Sequence, residues 1–255
     1  MLNKIIESCQ FLLENFPEAQ EARDYLDSRL NKESRQQFQF GYFPRTNNLN
    51  VLTEMVGEEA LLNTSLLYYR EIEDSLSHRM IPVPYFEDYP VIMPFRNTYG
   101  EIVAIVGRTL LSEEEQKAKK IPKYKNTKKT RRFEKGQLVF GLHENKQHIL
   151  DQNCVYVVEG QFDVIKAVEK GFRNIVALGT SNMTAYQFSV ISRYTDNIFL
   201  LLDNDVAGEK GRKLAINKYG KLANIQNFYL PESYKDIDEY LTKNGNESVS
   251  FVVKA

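Results

Sequence analysis

The sequence holds little from which a zinc site or a membrane anchor could be built. Among 255 residues there are two cysteines, Cys9 and Cys154, and three histidines, His78, His143 and His148. Neither cysteine lies in a CxxC pair. No four of these residues share the close spacing that a structural zinc site uses. Zinc is therefore not expected, and both thiols read as reduced packing residues. No apolar run approaches the ~18 residues of a membrane span. The opening stretch MLNKIIESCQFLLENF is amphipathic but carries acids and lacks a cleavage-type ending, unlike a secretory signal. Together these absences imply a cytoplasmic protein with no membrane partner. The nucleotide-binding signature GxxxxGK[ST] is missing as well, which argues against a P-loop ATPase. There is also no excess of charge of either sign. Lys and Arg number 33 against 34 Asp and Glu, a net charge of −1. Any contact with nucleic acid must then rest on local charge.

What is present sorts into two halves with a boundary near residue 148. Leu2, Ile5, Ile6, Cys9, Leu12, Leu13 and Phe16 repeat at helical spacing, and Pro17 ends that helix. A second helix is expected over Glu18–Leu30, and a short one within 31–45. Residues 51–80 are also read as helical. From 81 to 111 the runs PVIMPF and EIVAIVGRTLL flank NTYG, which reads as a hairpin turn between strands. Between Lys117 and Lys135 there are ten Lys or Arg and one acid. A charge run of this kind is commonly a solvated loop. Here Tyr124, Phe133 and the strand-like QLVFGL argue for a segment pinned at both ends.

After residue 148 strands and helices alternate. CVYVV, NIVAL, NIFLLL and IQNFYL read as strands, separated by helices over FDVIKAVEK, Thr184–Tyr194 and Ala207–Tyr219. Gly171 stands where a C-cap glycine belongs, and Thr184 is an N-cap candidate. This alternation predicts an open, mostly parallel α/β sheet. Its near-continuous apolar strands fit a sheet covered on both faces. Ligands of such sheets bind beyond the carboxyl ends of the strands. At those ends lie Glu159, Asp163, Asp203, Asp205, Asp236 and Asp238. Any one of these acids can be explained as a helix cap or a first-turn acid. The whole set in this register is better explained by a divalent cation, because so much unpaired like charge is unfavourable. Carboxylates holding a metal beside a basic segment point to phosphoryl or nucleotidyl transfer.

The motifs VVEGQFD, NIVALGTSNMT and LLLDNDVAG resemble, in order and spacing, the TOPRIM domain. That resemblance covers roughly residues 153–242. Upstream, EARDYLDSRLNKESRQQFQFGYFP, MPFRNTYGEIVAIVGRTL, IPKYKNT and FEKGQLVFGLHE are similar to successive segments of the catalytic core of DnaG-type bacterial and phage primases. Downstream, YLPESYKDIDEYL is similar to the acidic LPxGxDPDxxL segment of that family. The resemblance implies an α+β N-terminal subdomain over 1–148, holding the basic segment 117–135, followed by a TOPRIM α/β domain over 149–255.

By position it makes Glu159 a metal ligand or the general base for a primer 3′-hydroxyl. Asp203 and Asp205 become metal ligands, and Asp163, Asp236 and Asp238 complete the acidic cluster. Arg108, Lys123, Asn126 and Lys135 fall at positions implied to hold nucleotide or template, and Lys125 joins them within the basic run. Implied cofactors are Mg²⁺ or Mn²⁺. Implied partners are a single-stranded DNA template, ribonucleoside triphosphates and an RNA primer, with a replicative helicase and a separate zinc-module subunit beyond them. The chain departs from the pattern in VGR for GGR, in PKYKNT for PKYLNS, and in the missing basic lead-in before the PVIMPF strand. Neither a zinc-binding module nor a helicase-interaction domain is expected within it, and a stripped core of this kind points to a phage or other mobile element, acting then in the host cytoplasm. The leading function is synthesis or extension of short RNA primers by metal-assisted nucleotidyl transfer. The alternatives are a TOPRIM nuclease or a non-catalytic replication subunit. A topoisomerase is excluded because there is no room for a separate domain carrying a strand-cleaving tyrosine.

Overall fold

The computed structural model describes residues 1–74, 77–129, 133–244 and 252–253, without the side chains of 73, 74, 77, 78, 135, 252 and 253. The chain divides into two compact units, Met1–Phe95 with Ile102–Thr130, and Arg96–Glu101 with Arg131–Ala255. No described helix is long and apolar enough to cross a membrane.

The first unit begins with helix α1 (Leu2–Asn15), which buries Ile5, Ile6, Cys9, Leu12 and Leu13 along one stripe. Phe16 is extended and Pro17 follows, so the helix stops where proline forbids its continuation. Helices α2 (Gln20–Asp27) and α3 (Lys32–Gln37) come next, the latter capped by the Asn31 side chain on the Ser34 amide. After β1 (Gly41–Tyr42) come α4 (Leu49–Val56) and α5 (Glu58–Asn63).

The helical reading of 51–80 holds only as far as residue 63. Gly57, at φ +87°, breaks the helix in two, and β2 (Leu67–Asp74) pairs antiparallel with β3 (Ser77–Pro84) as a separate two-stranded hairpin. Tyr68, Tyr69 and Ile72 are residues that a pleated ribbon accommodates better than a helix. Strands β4 (Val91–Arg96) and β5 (Ile102–Arg108) flank the NTYG turn as expected. Helix α6 (Glu113–Lys119) opens on a reciprocal capping box between Ser112 and Glu115. Strand β6 (Tyr124–Asn126) then pairs antiparallel with β5, completing a sheet of order β1-β4-β5-β6. Much of the basic run is therefore ordered, as a helix and an edge strand. Its residues 130–132 and the Lys135 side chain lie outside the described residues.

The second unit contains α7 (Leu142–Gln152), β7 (Val155–Val158), α8 (Gln161–Glu169), β8 (Ile175–Ala177), α9 (Ala185–Ile191), β9 (Asn197–Leu200), α10 (Val206–Tyr219), β10 (Asn224–Tyr229), α11 (Ile237–Asn244) and β11 (Val252–Val253). The position near 148 expected for a boundary falls inside α7, whose Leu142 and Ile149 join the core of this unit. The sheet order is β11-β10-β9-β7-β8. The four strands from β10 to β8 are parallel, and β11 is antiparallel. Alternate strand residues Val155, Val157, Val176, Ile198 and Leu200 meet α7, α9 and α10 in one apolar cluster. Helix α8, with α11 packed on it, lies against the other face. Thr184 caps α9 with a full capping box, and Gly171 follows α8 at φ +85°, both where the sequence places them.

The order of these strands locates the site. The chain passes from β7 outward to β8, then returns across to β9 on the opposite side of β7. The connections leaving β7 and β9 therefore diverge to opposite faces. A crevice opens between their carboxyl ends, the switch point at which open α/β sheets bind ligands.

Candidate active site

Glu159 directly follows β7, and Asp203 lies just past β9, so both border that crevice. They are joined by one hydrogen bond, the Asp203 amide donating to Glu159 Oε1 at 3.2 Å. Burial, then the charge of Asp203, pushes the Glu159 carboxyl up to about 7. Asp203 is raised for the same reasons, burial first and Asp236 next. Asp203 raises Glu159, Asp236 raises Asp203, and Asp205 raises both, so like charge is crowded at this edge.

The remaining acids divide by what their oxygens already do. Asp205 caps α10, accepting from the Gly208 amide at 2.9 Å through Oδ1, and is otherwise exposed. A side chain at residue 208 would strike the Asp203 carbonyl, since a Cβ there would lie 2.1 Å from that oxygen. Glycine thus lets the first turn of α10 lie against the strand end that carries Asp203. Asp163 is buried beneath the edge and lies in the first turn of α8. Its Oδ2 accepts from the Gly160 amide at 3.0 Å and its Oδ1 from the Asp238 amide at 3.3 Å. Burial, then Asp236, raises its carboxyl well above the ordinary range. Asp163 therefore ties the start of α8 to the start of α11. Asp236 caps α11 through the Glu239 amide at 2.8 Å. All six acids predicted from the sequence thus belong to one sheet edge, with Asp163 as its underpinning.

Two basic residues meet this edge in different ways. Arg212 is 1% exposed. Its guanidinium donates to the carbonyls of Asp203, at 3.2 Å, and Leu202, and it stacks 4.3 Å over the Tyr229 ring. It is an interior clamp on the strand end, unlike its neighbours Lys210 and Lys213. One turn of α10 carries side chains to opposite sides, and Arg212 is the inward one. Lys213 points to solvent and pairs with Glu209 at 3.3 Å. Lys235, which the sequence reading passed over, is 63% exposed with its ammonium 3.7 Å from Asp203 Oδ2. Its signal was a lone cation in the acidic run KDIDE, immediately before Asp236.

The donor set suits a hard divalent cation. It consists of carboxylate oxygens, unaccompanied by His or Cys, and the repulsion recorded in Glu159 and Asp203 is what a divalent cation relieves. Among the described residues no three His, Cys, Asp or Glu converge closely enough to hold an ion as they stand. Glu159, Asp203, Asp205 and Asp236 are the residues that would hold one, completed by water.

The predicted nucleotide and template residues belong, apart from Lys135, to the first unit. Arg108, at the end of β5, lies 4.9 Å from the Tyr25 ring and 5.1 Å from that of Tyr124. Burial pushes the Tyr124 hydroxyl up to about 12. Lys123 is exposed. With Arg108, Ser112, Gln116, Lys117 and Lys120 it lines an open groove of about 800 Å³. Lys125 turns the other way. It donates to the Tyr85 carbonyl at 2.6 Å, with its ammonium 4.0 Å over the Tyr85 ring, and burial lowers its pKa. The Asn126 carbonyl accepts from the Tyr85 hydroxyl at 2.8 Å. The basic set is thus split between the groove and the packing behind β6.

Two family models match successive parts of the chain. Residues 11–146 match the family model of the DNA primase catalytic core, N-terminal domain, and residues 156–241 match a Toprim-like model. The DNA primase of Aquifex aeolicus is 30% identical over 250 residues, covering 97% of this chain and 47% of that relative. The crystal structure of the zinc-binding and RNA polymerase domains of the A. aeolicus primase matches with a TM-score of 0.76 at 30% identity, over 96% of this chain and 57% of that one. A DnaG primase catalytic domain bound to single-stranded DNA matches with a TM-score of 0.73 at 25% identity, over 96% of this chain and 79% of that one. The chain spans about half the length of the A. aeolicus primase, and less of others.

Proposed function

The chain belongs to the DNA primase catalytic-core family, and from that membership we propose that it synthesises or extends short RNA primers on single-stranded DNA. It is then a nucleotidyltransferase of the DNA-directed RNA polymerase type. The observation that carries this reading is the crowding of acids at the switch point of the parallel sheet, where Asp203 raises Glu159 and Asp236 raises Asp203. An edge short of positive charge suits a substrate that arrives as a triphosphate with divalent cations.

In this reading Glu159, Asp203, Asp205 and Asp236, with Asp238 beside them, would hold Mg²⁺ or Mn²⁺. Held there, the cation would supply neutralisation of the charge that develops on the transferred and departing phosphates. Glu159 would either hold that cation or accept the proton of the primer 3′-hydroxyl. Asp163 holds the start of α11 at the height the reaction needs, and Arg212 keeps the Asp203 strand end from moving. Arg108 and Lys123 contact template or nucleotide phosphate from the groove in the first unit, and Lys125 and Asn126 support the strand that presents them. Lys135 is assigned to the same role. The DNA bound by a related catalytic domain supports a single-stranded template. A replicative helicase, a separate zinc-module subunit, and work in the cytoplasm, of a host if the chain is phage-encoded, complete the reading.

The test is direct. The protein is incubated with single-stranded DNA, labelled ribonucleotides and Mg²⁺ or Mn²⁺, with and without a pre-annealed primer. Short RNA that depends on template, or extension of the primer, is the expected product. Absence of both in the presence of either metal would remove the proposal, and shortened DNA would replace it with hydrolysis.

A further inference from the structure

Asn204 stands between the two aspartates of the DND turn, and it holds the neighbouring loop in place. Its amide donates to the Lys235 carbonyl at 2.8 Å. Its side-chain nitrogen donates to the carbonyls of Tyr234, at 2.8 Å, and Leu230, at 3.2 Å. Three hydrogen bonds from one residue thus bind the 230–235 loop to the strand end carrying Asp203. From the other side, the Lys235 amide donates to Glu239 Oε2 at 2.9 Å. The backbone of Lys235 is fixed at both its polar groups, while its side chain reaches out with its ammonium 3.7 Å from Asp203 Oδ2. The acids around it are Asp203, Asp205, Asp236 and, through the backbone, Glu239. Asp203 is the one in ion-pair contact with the ammonium.

We propose that Lys235 is a tethered counter-cation of the Asp203 carboxylate, positioned by Asn204, and that a divalent cation must displace it to bind. The inference rests on the metal-site reading above and adds to it a residue of this chain. Two effects follow from one ammonium. It shields the crowded carboxylates from one another while no metal is bound, and it competes with the metal for Asp203. Competition follows from charge alone, since a monovalent and a divalent cation cannot both sit against the same carboxylate oxygen without repelling each other. An exposed ion pair is weak enough to be displaced and strong enough to be felt in an affinity. Lys235 is a positioning and tuning residue in this account, and no bond is made or broken at it.

The test measures Mn²⁺ binding to the full chain by electron paramagnetic resonance, without nucleotide or DNA. Lys235→Met is expected to bind Mn²⁺ roughly fivefold to tenfold more tightly than the unaltered protein. Lys235→Gln should behave alike, and Lys235→Arg should stay within about twofold of the starting affinity. Asn204→Ala, which frees the loop but keeps the ammonium, should fall between. Asp203→Asn serves as the control and should weaken binding. Unchanged or weaker binding by Lys235→Met and Lys235→Gln, with Asp203→Asn still impaired, would overturn the counter-cation inference and leave the metal site standing. Unchanged binding by Asp203→Asn would overturn both. Because Lys235 is largely in solvent, melting temperatures of the two variants in chelator report on the shielding separately, and a modest fall is expected.

Discussion

The acidic edge of the second unit and the basic edge of the first carry opposite charges, yet they differ most in how those charges are answered. On the basic edge, Arg108 lies against two tyrosine rings and Lys125 is committed to a carbonyl and a ring. On the acidic edge, carboxylates face carboxylates, and burial with mutual repulsion lifts Glu159, Asp163 and Asp203 together. Charge met by neighbouring groups is architecture, whereas charge left to repel its own kind is held there at a cost and calls for a ligand. The acidic edge holds both kinds of cation, with buried Arg212 donating to two carbonyls and exposed Lys235 against the Asp203 carboxylate.

The sharpest way to break this contrast is Asp203→Asn. It removes a charge the fold resists and the reaction needs. Primer synthesis is expected to fall about 100-fold or more, the loss seen when a preorganised electrostatic group is removed. Stability in chelator should be unchanged or slightly higher, because a repelled carboxylate is gone. Template-dependent ribonucleotide incorporation and a thermal melt check both. Near-normal synthesis would end the claim that unanswered charge marks the chemistry. Arg212→Met should do the reverse. Losing a buried guanidinium that satisfies two carbonyls costs about 2–4 kcal/mol of stability, read by urea unfolding. Lys213→Met on the same helix, with its ammonium in solvent, should stay within about 0.5 kcal/mol.

The lysines of β6 give a smaller separation of the same kind. Lys125→Met should lower stability by about 1–2 kcal/mol through its lost carbonyl partner and stem packing. Lys123→Ala should leave the melt unchanged and weaken single-stranded DNA binding severalfold, with the salt dependence falling by about one phosphate contact. Filter binding at several salt concentrations distinguishes the two. Equal DNA-binding defects in both variants would dissolve the division between groove and packing.

The second unit was far more legible in the sequence than the first. Strand runs such as NIFLLL are apolar throughout because both faces of the sheet are covered, and Thr184 and Asp205 announce the helices that they cap. The six acids could be found because strand ends in such a sheet share one rim. The β2–β3 hairpin was read as helix because Tyr68, Ile72 and Leu76 also repeat at a spacing of four. Its outer residues Tyr68, Tyr69, Ile72 and Met80 are exposed, so burial left no alternation to read. Arg212 could not be told from Lys210 and Lys213 by composition, since only the packing of α10 against β9 decides which of them turns inward. Lys235 was lost because its meaning comes from Asn204, in a turn about thirty residues away in the chain.

The smallest effect expected concerns pH, and it tests whether the acidic edge is strained in the absence of metal. Glu159 releases its proton at about 7 in the folded chain, against an ordinary carboxylate value of 4.5. A group whose folded value is raised lends stability below its unfolded value and loses it as pH rises through the folded one. In chelator, the contribution of Glu159 should therefore decline between about pH 4.5 and pH 7, and Asp203, raised in the same sense, should add to the decline. Glu159 keeps part of its surface in water, so after allowance for screening the effect is about 1 kcal/mol. In a chain of this size that moves the melting temperature by about 2–4 °C. Glu159→Gln cannot ionise, so its melting temperature should fall less over the same window, and saturating Mg²⁺ should flatten the wild-type curve toward that of the variant. Parallel pH profiles for wild type and Glu159→Gln in chelator would mean that the carboxylates are already answered, and the contrast between the two edges would then rest on Asp203 alone.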